Sequence, residues 1–289
     1  AQFACMFTAL IHDVDHPGVP NTTLVSEKAP VALMYENKSV AEQNSIDLAW
    51  DLFMDPVYED LRRVLYTNKT EFLRFRQLVT NLVMATDIMD KELGAFRKAR
   101  WNKAFEDVSE SCVPSNEPTL AAGRKEVQDN TNRKATIVLE HLIQASDVSH
   151  TMQHWHIYIK WNERLFHEMY RAYKDGRAPR DPTLNWYKGE IGFFDFYIIP
   201  LAKKLESCGV FGVSSDEYLA YAMRNREEWE LHGQDQVRDY IANYKVLYGD
   251  SNQNTAKPNI PTPMQGSSMQ RGGHGPRTLT SSESVRSVN

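Results

Sequence analysis

The chain has 289 residues, 42% of them hydrophobic and 11% aromatic, enough to fold one large domain around a substantial core. Its net charge is −5, and because Lys257, Arg271, Arg277 and Arg286 outnumber Glu283 in the last 39 residues, residues 1–250 carry −8, which argues against a nucleic-acid partner. Cys5, Cys112 and Cys208 are far apart and odd in number, with no CxxC pair, so they suggest a reducing, cytoplasmic setting rather than a disulfide framework.

The opening stretch FACMFTALI reads as an apolar helix whose packed face includes Phe3, Met6, Phe7 and Leu10. It is too short to span a bilayer and lacks the basic flank and cleavage pattern of a signal peptide, so no membrane insertion is expected. The chain opens on AQF without a Met or a helix cap, as expected for the middle of a longer protein. The helix runs into IHDVDHPGVPN, which places His12 and Asp13 at its C-terminal end. Imidazole plus carboxylate on a rigid support suits a divalent ion. The alternative is a solvated helix end, where His is favoured by the helix dipole and Asp starts a turn.

Further along, Ser39-Val40-Ala41-Glu42 fits a capping box opening a helix that runs to about Met54, before Pro56. Phe72, Phe75, Leu78, Leu82 and Met84 recur at helical spacing. Residues 106–125 are polar, contain two prolines and read as a loop. Val138, Leu139, Leu142 and Ile143 form a stripe that continues toward Asp147, placing this carboxylate on or beside an inward face. There it needs a cation or several donors, unless it merely ends the helix ahead of His150. Trp155, Tyr158, Ile159, Leu165, Phe166, Met169, Tyr170 and Tyr173 mark another amphipathic helix, stopped near Asp175-Gly176. From about Asp250 the chain turns to Ser, Pro, Gly and Asn with few apolar residues. The expected architecture is an all-α domain over residues 1–249 and a disordered tail over 250–289, in which Thr278, Thr280, Ser281, Ser282 and Ser284 are potential phosphate acceptors.

HDVDHPGVPN resembles the HDxxHxxxxN signature of the class I cyclic-nucleotide phosphodiesterases through His12, Asp13, His16 and Asn21. SVAEQN at 39–44, MATD at 84–87, QASDVSH at 144–150 and GEIGFFDFYIIPL at 189–201 are similar, in order, to that family's SVLENHH, ATD, HxxDISN and QxGFxDxxxxPL segments. The resemblance implies a compact multi-helix HD-type domain that hydrolyses a 3′,5′-cyclic nucleotide to the 5′-monophosphate in signal transduction. It implies that His12, Asp13 and Asp147 hold a metal ion, usually zinc, and that Asp13 bridges to a second, magnesium or manganese. By the same resemblance His16 and Glu42 orient ligands and water, while Glu190, Phe193, Leu165 and His150 bind the substrate. For Glu42 the capping role competes with this one.

The chain departs from the pattern in several places. Glu190 stands where the family has glutamine. An ionised carboxylate only accepts hydrogen bonds, so guanine, with its N1–H and N2–H donors, is expected to be preferred over adenine. Gln144 replaces a histidine, Asn44 and Ser45 a histidine pair, and His150 an asparagine. The family's general-acid histidine and a fourth metal ligand belong to an HNxxH motif upstream of the HD motif, so residues 1–289 alone are expected to be nearly inactive. The expected setting is the cytoplasm, either free or as the cytoplasmic domain of a larger, membrane-attached multidomain signalling protein. Two alternatives stay open: a degenerate module that binds a cyclic nucleotide or a regulatory partner without hydrolysis, and an HD-type phosphohydrolase acting on another phosphoester.

Overall fold

The computed structural model describes residues 1–105 and 120–249, in backbone alone at 120–129. Among the described residues there are helices and turns and no strand. The helices are α1 (Gln2–Ile11), α2 (Asn21–Ser26), α3 (Pro30–Met34), α4 (Val40–Phe53), α5 (Glu59–Leu65), α6 (Lys69–Thr86), α7 (Lys91–Phe105), α8 (Leu120–Asp147), α9 (Trp155–Lys174), α10 (Trp186–Phe193), α11 (Ile199–Ser207) and α12 (Val213–Tyr248). None of the described helices is long and apolar enough to cross a membrane. The expected disorder of residues 250–289 falls outside the described residues, as does most of the expected loop, 106–119.

Two cores meet along α8. The first joins α1, α4 and α6 through Ala4, Ile11, Ile46, Ala49, Val79 and Val83. Beside it Phe7 packs on Phe53 and Phe75, with ring centroids 5.4 and 6.3 Å apart. The second joins α9 to α12 through Tyr158, Phe166, Phe194, Ile198, Ala202, Ala222 and Trp229, all fully buried. Gly233 is needed there, because a Cβ at that position would lie 2.7 Å from the Trp229 ring. The Trp229 indole N–H donates to the Tyr187 carbonyl at 3.0 Å and so ties the first turn of α10 to α12.

Three expectations change. On α1 the buried face is Ala4, Thr8 and Ile11, while Met6 and Leu10 are 72% and 78% exposed. Small residues let α1 lie close to its neighbours, and a helix can bury only one stripe of a sequence that is apolar nearly all round. The segment read as a loop to 125 becomes helical at Leu120. Ala121, Ala122, Arg124 and Lys125 are good helix formers, and extending a helix already nucleated downstream costs little. The capping box also fails: Ser39 has φ +36° and makes no side-chain cap bond, and its buried hydroxyl has no partner among the described residues.

Candidate metal centre

The C-terminal ends of α1 and α8 meet. His12, one residue beyond α1, lies with its Nε2 3.3 Å from Oδ1 of Asp147, the last residue of α8, and 3.6 Å from Oδ2 of Asp13. One ligand atom from each of the three lies within 4.8 Å of the other two. The ring is oriented from behind, its Nδ1–H donating to the Ala9 carbonyl at 3.1 Å. That bond fixes the tautomer so that, in neutral imidazole, the Nε2 lone pair points at the carboxylates. In the metal-free chain the hydrogen bond to Asp147 holds the His12 pKa up at about 9, against the opposing effect of burial. Two carboxylates and one imidazole thus gather around a position that favours positive charge, a donor set that fits a divalent ion. Asp147 is more open than its apolar stripe suggested, with 36% of its side chain exposed, and Asp13 is at 65%.

The loop carrying the cluster is held by α4. Asp15 adopts left-handed backbone, φ +63°, and its carboxylate accepts from Asn44 at 3.2 Å. Ser45 donates to the Val14 carbonyl at 2.8 Å. The two residues that depart from the family's histidine pair therefore clamp the turn between Asp13 and His16. Asn21 takes over the capping work that Ser39 lacks: its Oδ1 accepts from the Ala41 N–H at 2.9 Å, and its NH2 donates to Glu42 Oε2 at 2.9 Å. Burial, reinforced by the nearby Asp87 carboxylate, raises the Glu42 pKa, with His16 acting weakly in the opposite sense. His16 is exposed, its Nδ1 accepting from the Gly18 N–H at 3.2 Å. Gln144 donates to the Ala85 carbonyl at 2.9 Å and pins α8 to α6.

A second group of expected residues lies on α9, α10 and the short 3-10 turn Ser149–Met152. Glu190 is buried in the body of α10, not at its start, and accepts from the Tyr158 hydroxyl at 2.9 Å. The Trp186 indole, which can only donate, bonds Asn162 Oδ1 at 3.0 Å. The Asn162 amide group is thereby turned toward Glu190 as a second donor. Burial outweighs both donors and raises the Glu190 pKa to about 7. His150 stacks on Tyr158, with centroids 6.4 Å apart and planes within 9°, and burial lowers its pKa. Phe193, three residues beyond Glu190, stacks on Tyr197 at 5.3 Å. Leu165 is 45% exposed on α9, next to the fully buried Phe166.

The structure brings His12, Asp13 and Asp147 together and links Glu190 to His150 through Tyr158. Sequence reasoning missed Tyr158 and Asn162, which turn toward Glu190, and Trp186, which holds Asn162, and it gave Asn21 no role. For Asn21 the signal was its place in the HDxxHxxxxN signature; for the other three no local pattern existed.

The family model for 3′5′-cyclic nucleotide phosphodiesterases matches residues 1–210. The probable 3′,5′-cyclic-AMP phosphodiesterase pde-4 of Caenorhabditis elegans is 28% identical over 206 residues, which cover 68% of this chain and 28% of that protein. The dual specificity calcium/calmodulin-dependent 3′,5′-cyclic nucleotide phosphodiesterase 1B of Rattus norvegicus is 26% identical over 206 residues, covering 68% of this chain and 33% of that protein. The aligned part is thus a third or less of each curated relative. The crystal structure of the phosphodiesterase domain of the Salpingoeca rosetta rhodopsin phosphodiesterase has a similar fold, with TM-score 0.59 and 22% identity over 86% of this chain and 69% of that one.

Proposed function

The chain belongs to the 3′5′-cyclic nucleotide phosphodiesterase family, and on that premise we propose that its protein hydrolyses a 3′,5′-cyclic nucleotide to the 5′-monophosphate at the His12–Asp13–Asp147 centre. The observation that carries this reading is the convergence of His12 Nε2 with two carboxylates from segments 135 residues apart, inside the region matched by the family. We assign zinc to the three-residue site and magnesium or manganese to a neighbouring position reached by Asp13, the more exposed of the two carboxylates. Divalent ions there supply Lewis acidity toward the phosphodiester and toward water.

The protein's own groups divide the remaining tasks. Ala9 orients His12, while Asn44 and Ser45 hold the turn that presents Asp13. Asn21 fixes Glu42 beside His16, and the raised pKa of Glu42 suits a carboxyl that holds or passes a proton. We assign Phe193 to stack on the purine, Leu165 to supply the apolar surface on the base's other face, and His150 to line the same site. Glu190 reads the purine edge. With Tyr158 and Asn162 both donating to it, the ionised carboxylate offers acceptors alone, which suits guanine and makes cGMP the preferred substrate. The folded unit is residues 1–249, in our reading a cytoplasmic signalling domain of a larger protein.

Product analysis on the full-length protein tests this. Incubation with cGMP or cAMP in zinc and magnesium should give the 5′-monophosphate, and chelation should stop it. A metal-loaded, folded protein that turns over neither nucleotide would sink the reading.

A further inference from the structure

Between α10 and α11 the chain makes a π-helical turn, Phe194–Ile198. Such turns insert one extra residue and often accompany functional sites. Phe194 and Ile198 fill the core at 0% exposure, while Tyr197 packs at its margin, half-buried, its ring stacked on Phe193 with planes 16° apart. The Tyr197 hydroxyl is buried and has no hydrogen-bond partner among the described residues. Burial dominates its surroundings, with the Arg97 guanidinium on α7 and the Asp147 carboxylate at the end of α8 also within electrostatic range. Each of those groups is engaged elsewhere: Arg97 donates to the Met84 and Asp87 carbonyls at 3.3 and 3.1 Å, and Asp147 faces His12. A buried hydroxyl without a partner costs stability that phenylalanine at the same place would not.

We propose that the Tyr197 hydroxyl is a ligand contact, donating a hydrogen bond to a phosphate oxygen of a nucleotide lying between Phe193 and the His12–Asp13–Asp147 centre. The assignment rests on the nucleotide reading given above. The tyrosine ring borders the Phe193 ring assigned to the base, and its hydroxyl lies within electrostatic range of Asp147 in the metal centre, so we place the phosphate between the two. Burial also raises the hydroxyl's pKa, so it remains a donor across the neutral range.

The test compares full-length wild type with Tyr197→Phe in zinc- and magnesium-containing buffer, measuring thermal stability and the dissociation constants of 5′-GMP and guanosine. Tyr197→Phe should melt at or above the wild-type temperature, bind 5′-GMP about tenfold more weakly, and bind guanosine unchanged. Equal 5′-GMP affinity in the two proteins would overturn the contact alone. So would an equal loss for both ligands, which is the mark of a structural role. Failure of the wild type to bind 5′-GMP at all would overturn the nucleotide reading and the contact with it.

Discussion

Asn21 donates to Glu42 across 2.9 Å while its own carbonyl oxygen accepts from the Ala41 N–H, so one side chain both caps α4 and holds the carboxyl that Asp87 and His16 act on. Asn21→Ala removes both bonds and should cost about 1–3 kcal/mol in chemical denaturation. Asn21→Asp keeps the acceptor for Ala41 but sets a second carboxylate against Glu42. Since burial and Asp87 already raise the Glu42 pKa, stability tied to its protonation is present at low pH and lost as pH rises. The Asp variant should therefore be more destabilised at pH 7 than at pH 5, and an equal loss at both would contradict this arrangement.

Glu190 gives a pH dependence of known sign. Its folded-state pKa is about 7, above the ordinary 4.5, so its protonation stabilises the fold fully below 4.5, and that contribution disappears as pH rises through 7. The difference is on the order of 3 kcal/mol. Relative to wild type, Glu190→Gln should gain stability between pH 5 and pH 8.5 in urea titrations. A gap between the two proteins that stays constant with pH would show that the carboxyl is not held this way.

The same titration bears on base choice. Deprotonated Glu190 only accepts, whereas the protonated carboxyl both donates and accepts and so resembles glutamine. In wild type the ratio of cGMP to cAMP kcat/KM should rise roughly tenfold from pH 6 to pH 8, the worth of about one hydrogen bond. In Glu190→Gln the ratio should be lower and flat. A wild-type ratio that does not move with pH, or that the substitution leaves intact, would remove Glu190 from the reading of the base.

Metal binding is measurable without turnover. Zinc at about 100 times its dissociation constant should stabilise the protein by about 2.7 kcal/mol and raise the melting temperature by roughly 5 °C or more. Asp147→Ala and His12→Ala should lose this shift, and a chelator should reverse it in wild type. A shift that survives in both variants would place the ion elsewhere.

Much of this was written locally in the sequence. The period of α9 is sustained over 20 residues, and Tyr158, Phe166 and Tyr170 are buried as it requires. The meeting of His12 with Asp147 was legible only through ordered motifs, since no periodicity reports a contact 135 residues apart. Asn21 as a cap was not legible, because local pattern pointed to Ser39, and only the left-handed backbone at Ser39 shows why its hydroxyl bonds nothing there. The donors around Glu190 were hidden for a similar reason: Tyr158 and Asn162 reach it because α9 packs against α10, and their spacing along α9 matches any buried stripe.

The most direct test is kcat/KM for cGMP and cAMP in the full-length protein and in Asp147→Ala, each with and without zinc and magnesium. Wild type should show metal-dependent turnover, and Asp147→Ala should lose it with both nucleotides while keeping its fold. Turnover that survives Asp147→Ala, or that needs no metal, would contradict a hydrolytic centre at the meeting of α1 and α8.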